Sequence, residues 1–134
     1  FYDTGLAAYL LGVSAADDLV AHFARGHLFE NLIVAEITKQ QYVSGWSSDL
    51  YYWQESNKHE IDLLAERSNQ LTVAEIKSGS TLNSSFFDNL LYFQKHSGLP
   101  LAASYLIYGG TERQSRSAGE VRGWRDLEGM FGSL

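Results

Sequence analysis

The pattern of apolar and polar positions changes period near Gly45. Before it, Leu28, Phe29, Leu32, Ile33 and Ile37 recur at helical spacing, which predicts an amphipathic helix over 26–40. Two shorter helices are predicted ahead of it. One covers 4–11, with Asp3 as N-cap and Gly12 as stop; the other covers 14–25. After Gly45 the alternation is strand-like. Strands at 50–54 and 59–65, joined by a polar turn at 55–58, predict a hairpin. A turn at 67–70 leads into a third strand at 71–77. There Leu71 and Val73 share one face, and Ala74 and Ile76 the other, so the strand is expected to be central and covered on both sides. Asn83 or Ser84 can cap a helix running to His96, with Phe86, Leu90, Leu91 and Phe93 as its apolar contacts. Gly98, Leu99 and Pro100 break it. A fourth strand follows at 101–108, ended by Gly109 and Gly110, and 120–124 reads as a short edge strand.

Helix, three strands, helix, strand is the order of an α/β domain with a mixed sheet and flanking helices. The helix between the third and fourth strands implies that those two run parallel. At 134 residues, 45% apolar and 19% charged, the chain fits one globular domain, taken as 1–134. No apolar run approaches the ~18 residues that span a bilayer, and no signal-peptide pattern opens the chain. Without cysteine there is no disulfide framework and no thiolate zinc site; a cytoplasmic location is expected. Because Phe1 already leads into a helix, the chain is expected to be a fragment of a longer protein.

Charge narrows the functional classes. A net charge of −6 opposes tight unaided binding to nucleic acid, which usually calls for a basic surface. Yet four of the six arginines, Arg113, Arg116, Arg122 and Arg125, fall in the final segment. They form either a solvated terminal face or an edge that contacts phosphate or a partner.

The chemistry concentrates in EIDLL (60–64) and VAEIKSG (73–79). Glu75 and Lys77 share one face of a strand that is otherwise apolar, where charges are costly unless paired or bound to an ion. Asp62 lies on the preceding strand, which a short turn folds back beside them, with Glu60 as its competitor on the same face. Two carboxylates and an ammonium converging in one cleft at the sheet edge suit a hard divalent cation and a phosphate. The alternative is a salt bridge of Lys77 with Glu75 or Asp62. Glu30, at the margin of the first long helix's apolar stripe, is expected to face this cleft; Glu36, nearer the middle of the stripe, is its rival. The four histidines show no paired metal spacing, no phosphate loop or nucleophile elbow is present, and Tyr51, Tyr52 and Trp53 read as core packing or as a stacking surface for bases.

A helix glutamate, an aspartate on a hairpin strand, then E-x-K on the next strand followed by helix and strand resembles the PD-(D/E)xK nuclease superfamily. More narrowly, DTGLAAYLLG, GHLFENLIVAEI, YYWQESNKHEIDLL and VAEIKSG look like an uncharacterised C-terminal domain that follows AAA-type ATPase modules in bacteria and archaea. The resemblance covers about 1–124, and Ile61 stands where the superfamily pattern has proline. It implies a restriction-endonuclease-like fold and Mg²⁺ (or Mn²⁺) held by Asp62 and Glu75. Lys77 would orient the attacking water or stabilise transition-state charge, with Glu30 a supporting ligand or outer group. It also implies an N-terminal ATPase module in the same chain, and a DNA-directed phosphodiesterase activity. A nuclease-like fold kept as a DNA- or protein-binding regulatory module of that ATPase is the competing expectation. Grip on nucleic acid would come from the ATPase or from an oligomer.

Overall fold

Six strands form one mixed sheet in the computed structural model, which describes residues 1–47, 49–56 and 58–132. The hairpins fold as their alternation requires. β1 (Leu50–Glu55) pairs antiparallel with β2 (His59–Arg67), and β2 with β3 (Gln70–Lys77). The turn expected at 55–58 includes residue 57, which lies outside the described residues, as do 133 and 134 of the expected domain. Between β2 and β3 the two-residue turn Ser68-Asn69 has positive φ at both positions (51° and 61°), the hand that matches strand twist.

A crossover through α4 (Asp88–His96) brings β4 (Leu101–Tyr108) parallel to β3, as the element order predicts. The last strand departs from expectation. β6 (Gly119–Gly123) is not at the edge; it lies parallel to β4 and is covered by the three-residue edge strand β5 (Gln114–Arg116). The order is β1-β2-β3-β4-β6-β5. Val121 and Arg122 are buried there, and Arg122 donates to Asp126 at 3.0 Å. Arg113 pairs with Glu120 at 2.7 Å, Arg116 with Gln114 at 2.6 Å, and Arg125 lies over the Trp124 ring. The arginine-rich segment is thus tied into its own hairpin, with Arg122 inside it rather than on a free edge.

Helices cover both faces. On one, Ile33 and Ile37 of α3 (Arg25–Val43) pack on Leu63, Ala74, Ile76 and Ile107, closed off by Leu127, Met130 and Phe131. On the other, Leu90 and Phe93 of α4 pack on Ile61, Val73, Leu106 and Val121. α1 (Thr4–Leu10), capped by Asp3 through the Leu6 amide at 2.9 Å, rests on the start of α3 through Ala7, Ala24 and Leu28. α2 (Ala16–Val20) is shorter than the helix expected over 14–25. Asn83 caps a 3-10 turn, Ser84–Phe87, ahead of α4; Phe87 packs on the core, whereas Leu91 is half exposed. Trp53 packs edge-on against Phe93, but Tyr51 and Tyr52 stand exposed because β1 is an outer strand beyond the cover of α4. Among the described residues no helix is long and apolar enough to cross a membrane.

The ends of β3 and β4 are locked together by one glycine. The Gly109 amide donates to both Lys77 O and Gly79 O at 3.0 Å, and a Cβ there would sit 2.4 Å from Ser78 O. Backbone, not a flexible side chain, blocks the space. Gly109→Ala should therefore lower stability by about 1–3 kcal/mol, an overpacking cost, measured by denaturant unfolding; an unchanged midpoint would show that the strand ends separate freely.

Candidate active site

Asp62 reaches the site through an irregularity in β2. Along β1 and β2, Tyr51 faces Leu64 and Trp53 faces Ile61, so three steps of β2 match two of β1. This is a β-bulge at Asp62-Leu63, and its effect shows in the packing. Ile61 and Leu64, three residues apart, both face α4, while Leu63 and Ala65 face α3. Pairing of β2 with β3 stops at Leu63↔Ala74. Beyond that point the Asp62 carboxylate takes over a backbone role: Oδ2 accepts from the Ile76 amide at 2.7 Å. A donor that would otherwise be unpaired in the sheet interior is satisfied by a side chain. Asp62 consequently sits in the opening between the two strands.

Glu75 is fully buried on the α4 face of β3. Its Oε1 accepts from Lys77 Nζ at 2.5 Å and from Asn89 Nδ2 at 3.0 Å. Its Oε2 has no hydrogen-bond partner among the described residues. Burial, and then the nearby Asp62 charge, push the Glu75 carboxyl up to about 7, against the pull of Lys77 and Asn89. Burial also raises Asp62, opposed first by the Ile76 amide and then by the Lys77 charge. The two carboxyls thus share one site and compete for one proton. Lys77 is held further toward its charged form by Glu75 and Asp62, in spite of its burial.

Asp62, Glu75 and Lys77 come together where the backbone pairing of β2 with β3 stops, inside the sheet order rather than at its lateral edge. Glu30 lies within electrostatic reach of Asp62: partial burial and the Asp62 charge both raise its carboxyl, and His27 lies 4.0 Å away. Glu36 lies elsewhere. It pairs with Lys39 at 2.7 Å and lines a groove with Trp124 and Phe131. Glu60 is exposed and acts only at a distance, raising Asp62 and Glu30. Sequence reasoning missed Asn89, a polar position on an amphipathic helix whose contact depends on how α4 docks.

The donor set suits a divalent cation. Two carboxylates meet, one buried oxygen is unpartnered, and an ammonium stands beside them, which matches the few protein oxygens that Mg²⁺ takes alongside water and phosphate. Among the described residues no group of three or more histidine and acidic side chains is placed to hold a metal, so Glu30 belongs to the surroundings of Asp62 and Glu75 rather than to one cluster with them.

Fold and site together define an α/β protein with a six-stranded mixed sheet and an acidic pair, Glu75 buried and Asp62 half-buried, beside a lysine at its strand ends. A model of the domain of unknown function DUF4143 matches residues 25–125, from the start of α3 to just beyond β6, and the chain belongs to that family. The matched span holds Glu30, Asp62, Glu75, Lys77 and Asn89. Comparison with curated proteins and with solved structures gave no match.

The raised Glu75 carboxyl makes stability pH-dependent in a known direction. The folded chain keeps this proton to about pH 7, whereas an unfolded chain releases it near 4.5. The folded state therefore binds more protons between those values, and stability falls as pH rises through that window. The metal-free melting temperature should drop from pH 5 to pH 8, and Glu75→Gln should remove most of the drop. A flat profile, or a profile that the substitution leaves unchanged, contradicts the raised Glu75 carboxyl.

Proposed function

We propose that this domain is a metal-dependent phosphodiesterase of the PD-(D/E)xK nuclease class, with a restriction-endonuclease-like arrangement of the sheet. The observation that carries the reading is the unpartnered Glu75 Oε2, buried next to Asp62 and beside the Lys77 ammonium. Mg²⁺ or Mn²⁺ would be held by Asp62 and Glu75 and, when bound, would supply charge neutralisation at the scissile phosphate and a low-pKa water. The chain's own residues do the rest. Asp62 is fixed by the Ile76 amide, so its free oxygen keeps one direction. Lys77, held charged by its carboxylate neighbours, is placed to orient the attacking water or to stabilise charge on the phosphate. Glu30 adds a partly buried carboxylate within electrostatic reach of Asp62.

Nucleic acid, DNA in the first instance, is the substrate this chemistry suits. With a net charge of −6, and Arg122 buried in its own ion pairs, the domain should bind it weakly and with strong dependence on salt. An attached N-terminal ATPase module, or an oligomer, would supply the missing grip.

One observation favours a second reading. The Lys77–Glu75 ion pair balances half of the acidic pair without any cation, as a regulatory module that keeps a nuclease-like fold but no catalysis would do. The assay is plasmid and single-strand cleavage in Mg²⁺ and Mn²⁺ at low salt, with Lys77→Ala and Asp62→Ala for comparison. Cleavage should vanish in chelator, and Lys77→Ala should lower the rate about a hundredfold or more, the scale of removing one preorganised charge-stabilising donor. No cleavage by the full-length protein, with no metal bound at millimolar concentration, would leave the regulatory module standing.

A further inference from the structure

We infer that Asn89 is a positioning residue for Glu75, and that its own orientation is set by His59. The inference rests on the metal-site reading above but extends it to residues outside the acidic pair. Asn89 faces two ways from α4. Its Nδ2 donates to Glu75 Oε1 at 3.0 Å, and its Oδ1 lies 3.3 Å from His59 Nδ1. An amide has its oxygen and nitrogen on opposite sides of one carbon, so the two contacts constrain each other. If Nδ2 serves the carboxylate, Oδ1 must face the imidazole, and it can only accept. His59 must then carry its proton on Nδ1.

The histidine is itself held. Its ring stacks on Tyr92 with centroids 3.6 Å apart and planes within 7°. The Tyr92 hydroxyl donates to Glu55 Oε2 at 2.5 Å, and His96 lies against the other side of Tyr92 at 4.3 Å. Glu55 and His59 stand at facing ends of the β1–β2 hairpin, and Asn89 and Tyr92 lie on α4 one turn apart. The hairpin end therefore clamps α4, and α4 carries the clamp to the carboxylate.

The consequence is selective use of the two Glu75 oxygens. Lys77 and Asn89 both engage Oε1, which saturates that oxygen and fixes the carboxylate plane. Oε2 is left as the buried oxygen without a hydrogen-bond partner among the described residues. Asn89 thus determines which oxygen a cation meets, without touching the cation. Such supporting contacts commonly carry ten- to hundredfold in metal affinity.

Two measurements test this, one of them independent of metal. At a pH where His59 is neutral, ¹⁵N NMR of the metal-free protein should show His59 protonated at Nδ1, the less favoured tautomer of free imidazole. Asn89→Ala should return it to Nε2–H. Calorimetric titration with Mn²⁺ alone should then show binding weakened ten- to a hundredfold in Asn89→Ala. His59→Phe keeps the stack on Tyr92 but removes the Nδ1 donor, and should weaken binding by a smaller factor with little change in melting temperature. An Nε2–H tautomer in the parent protein, or Mn²⁺ affinity unchanged in Asn89→Ala, overturns the inference. Nδ1–H in the parent, lost in Asn89→Ala, with no Mn²⁺ binding to either, would uphold the clamp on Glu75 and instead remove the metal reading of the site.

Discussion

The structure turns on the bond between the Asp62 carboxylate and the Ile76 amide. A regular antiparallel ladder continued past Leu63↔Ala74 would have used that amide for β2 backbone and set Asp62 directly across from Glu75. The extra residue of the bulge ends the ladder at Leu63 and leaves an interior donor open. Only an acceptor of suitable length on β2 can satisfy it. Asp62 does so, and its carboxylate is thereby held where the backbone pairing of the two strands stops. The price is a second carboxyl beside a buried one, so that burial first and then the Asp62 charge raise the Glu75 carboxyl. The strand pairing and the acidic site are therefore one feature seen from two sides.

Much of this was legible in the residues. Period-2 alternation located β1 to β4, and the helix between β3 and β4 fixed their parallel direction. Glu75 and Lys77 were readable as a pair because a strand with apolar residues on both faces has no ordinary place for two charges. Glu30 could be separated from Glu36 by its position at the margin of the α3 stripe. Glu36, nearer the middle of that stripe, nonetheless reaches solvent beside Lys39, because α3 covers the sheet with Ile33 and Ile37 and leaves the Glu36 side to a groove.

What stayed hidden depended on pairing and docking rather than on local pattern. A bulge exists only in the register between two strands, so EIDLL alone gives no sign of it. Asn89 looks like any polar position on an amphipathic helix until α4 is laid on the sheet. The place of β6 was misread because strand order is decided by which neighbour covers Val121 and Arg122, and a three-residue β5 suffices for that. Tyr51 and Tyr52 were open to either reading until β1 proved to be an outer strand.

The hydrogen bonds that build the site are short in sequence. Asp62 to Ile76 and Glu75 to Asn89 each close 14 residues, and His59 to Asn89 closes 30. By contrast, Arg25 reaches Ser78 across 53 residues and Gln41 reaches Phe131 across 90. Closing a loop costs more as it lengthens, by about 0.6 kcal/mol per doubling. The acidic pair and its clamp are thus a nearly self-contained knot of β1, β2, β3 and α4, and α3 with the C-terminal segment is fastened to it by the more expensive long closures. Local opening that frees either terminal part would cost the chain its widest-span contacts first and its chemistry last.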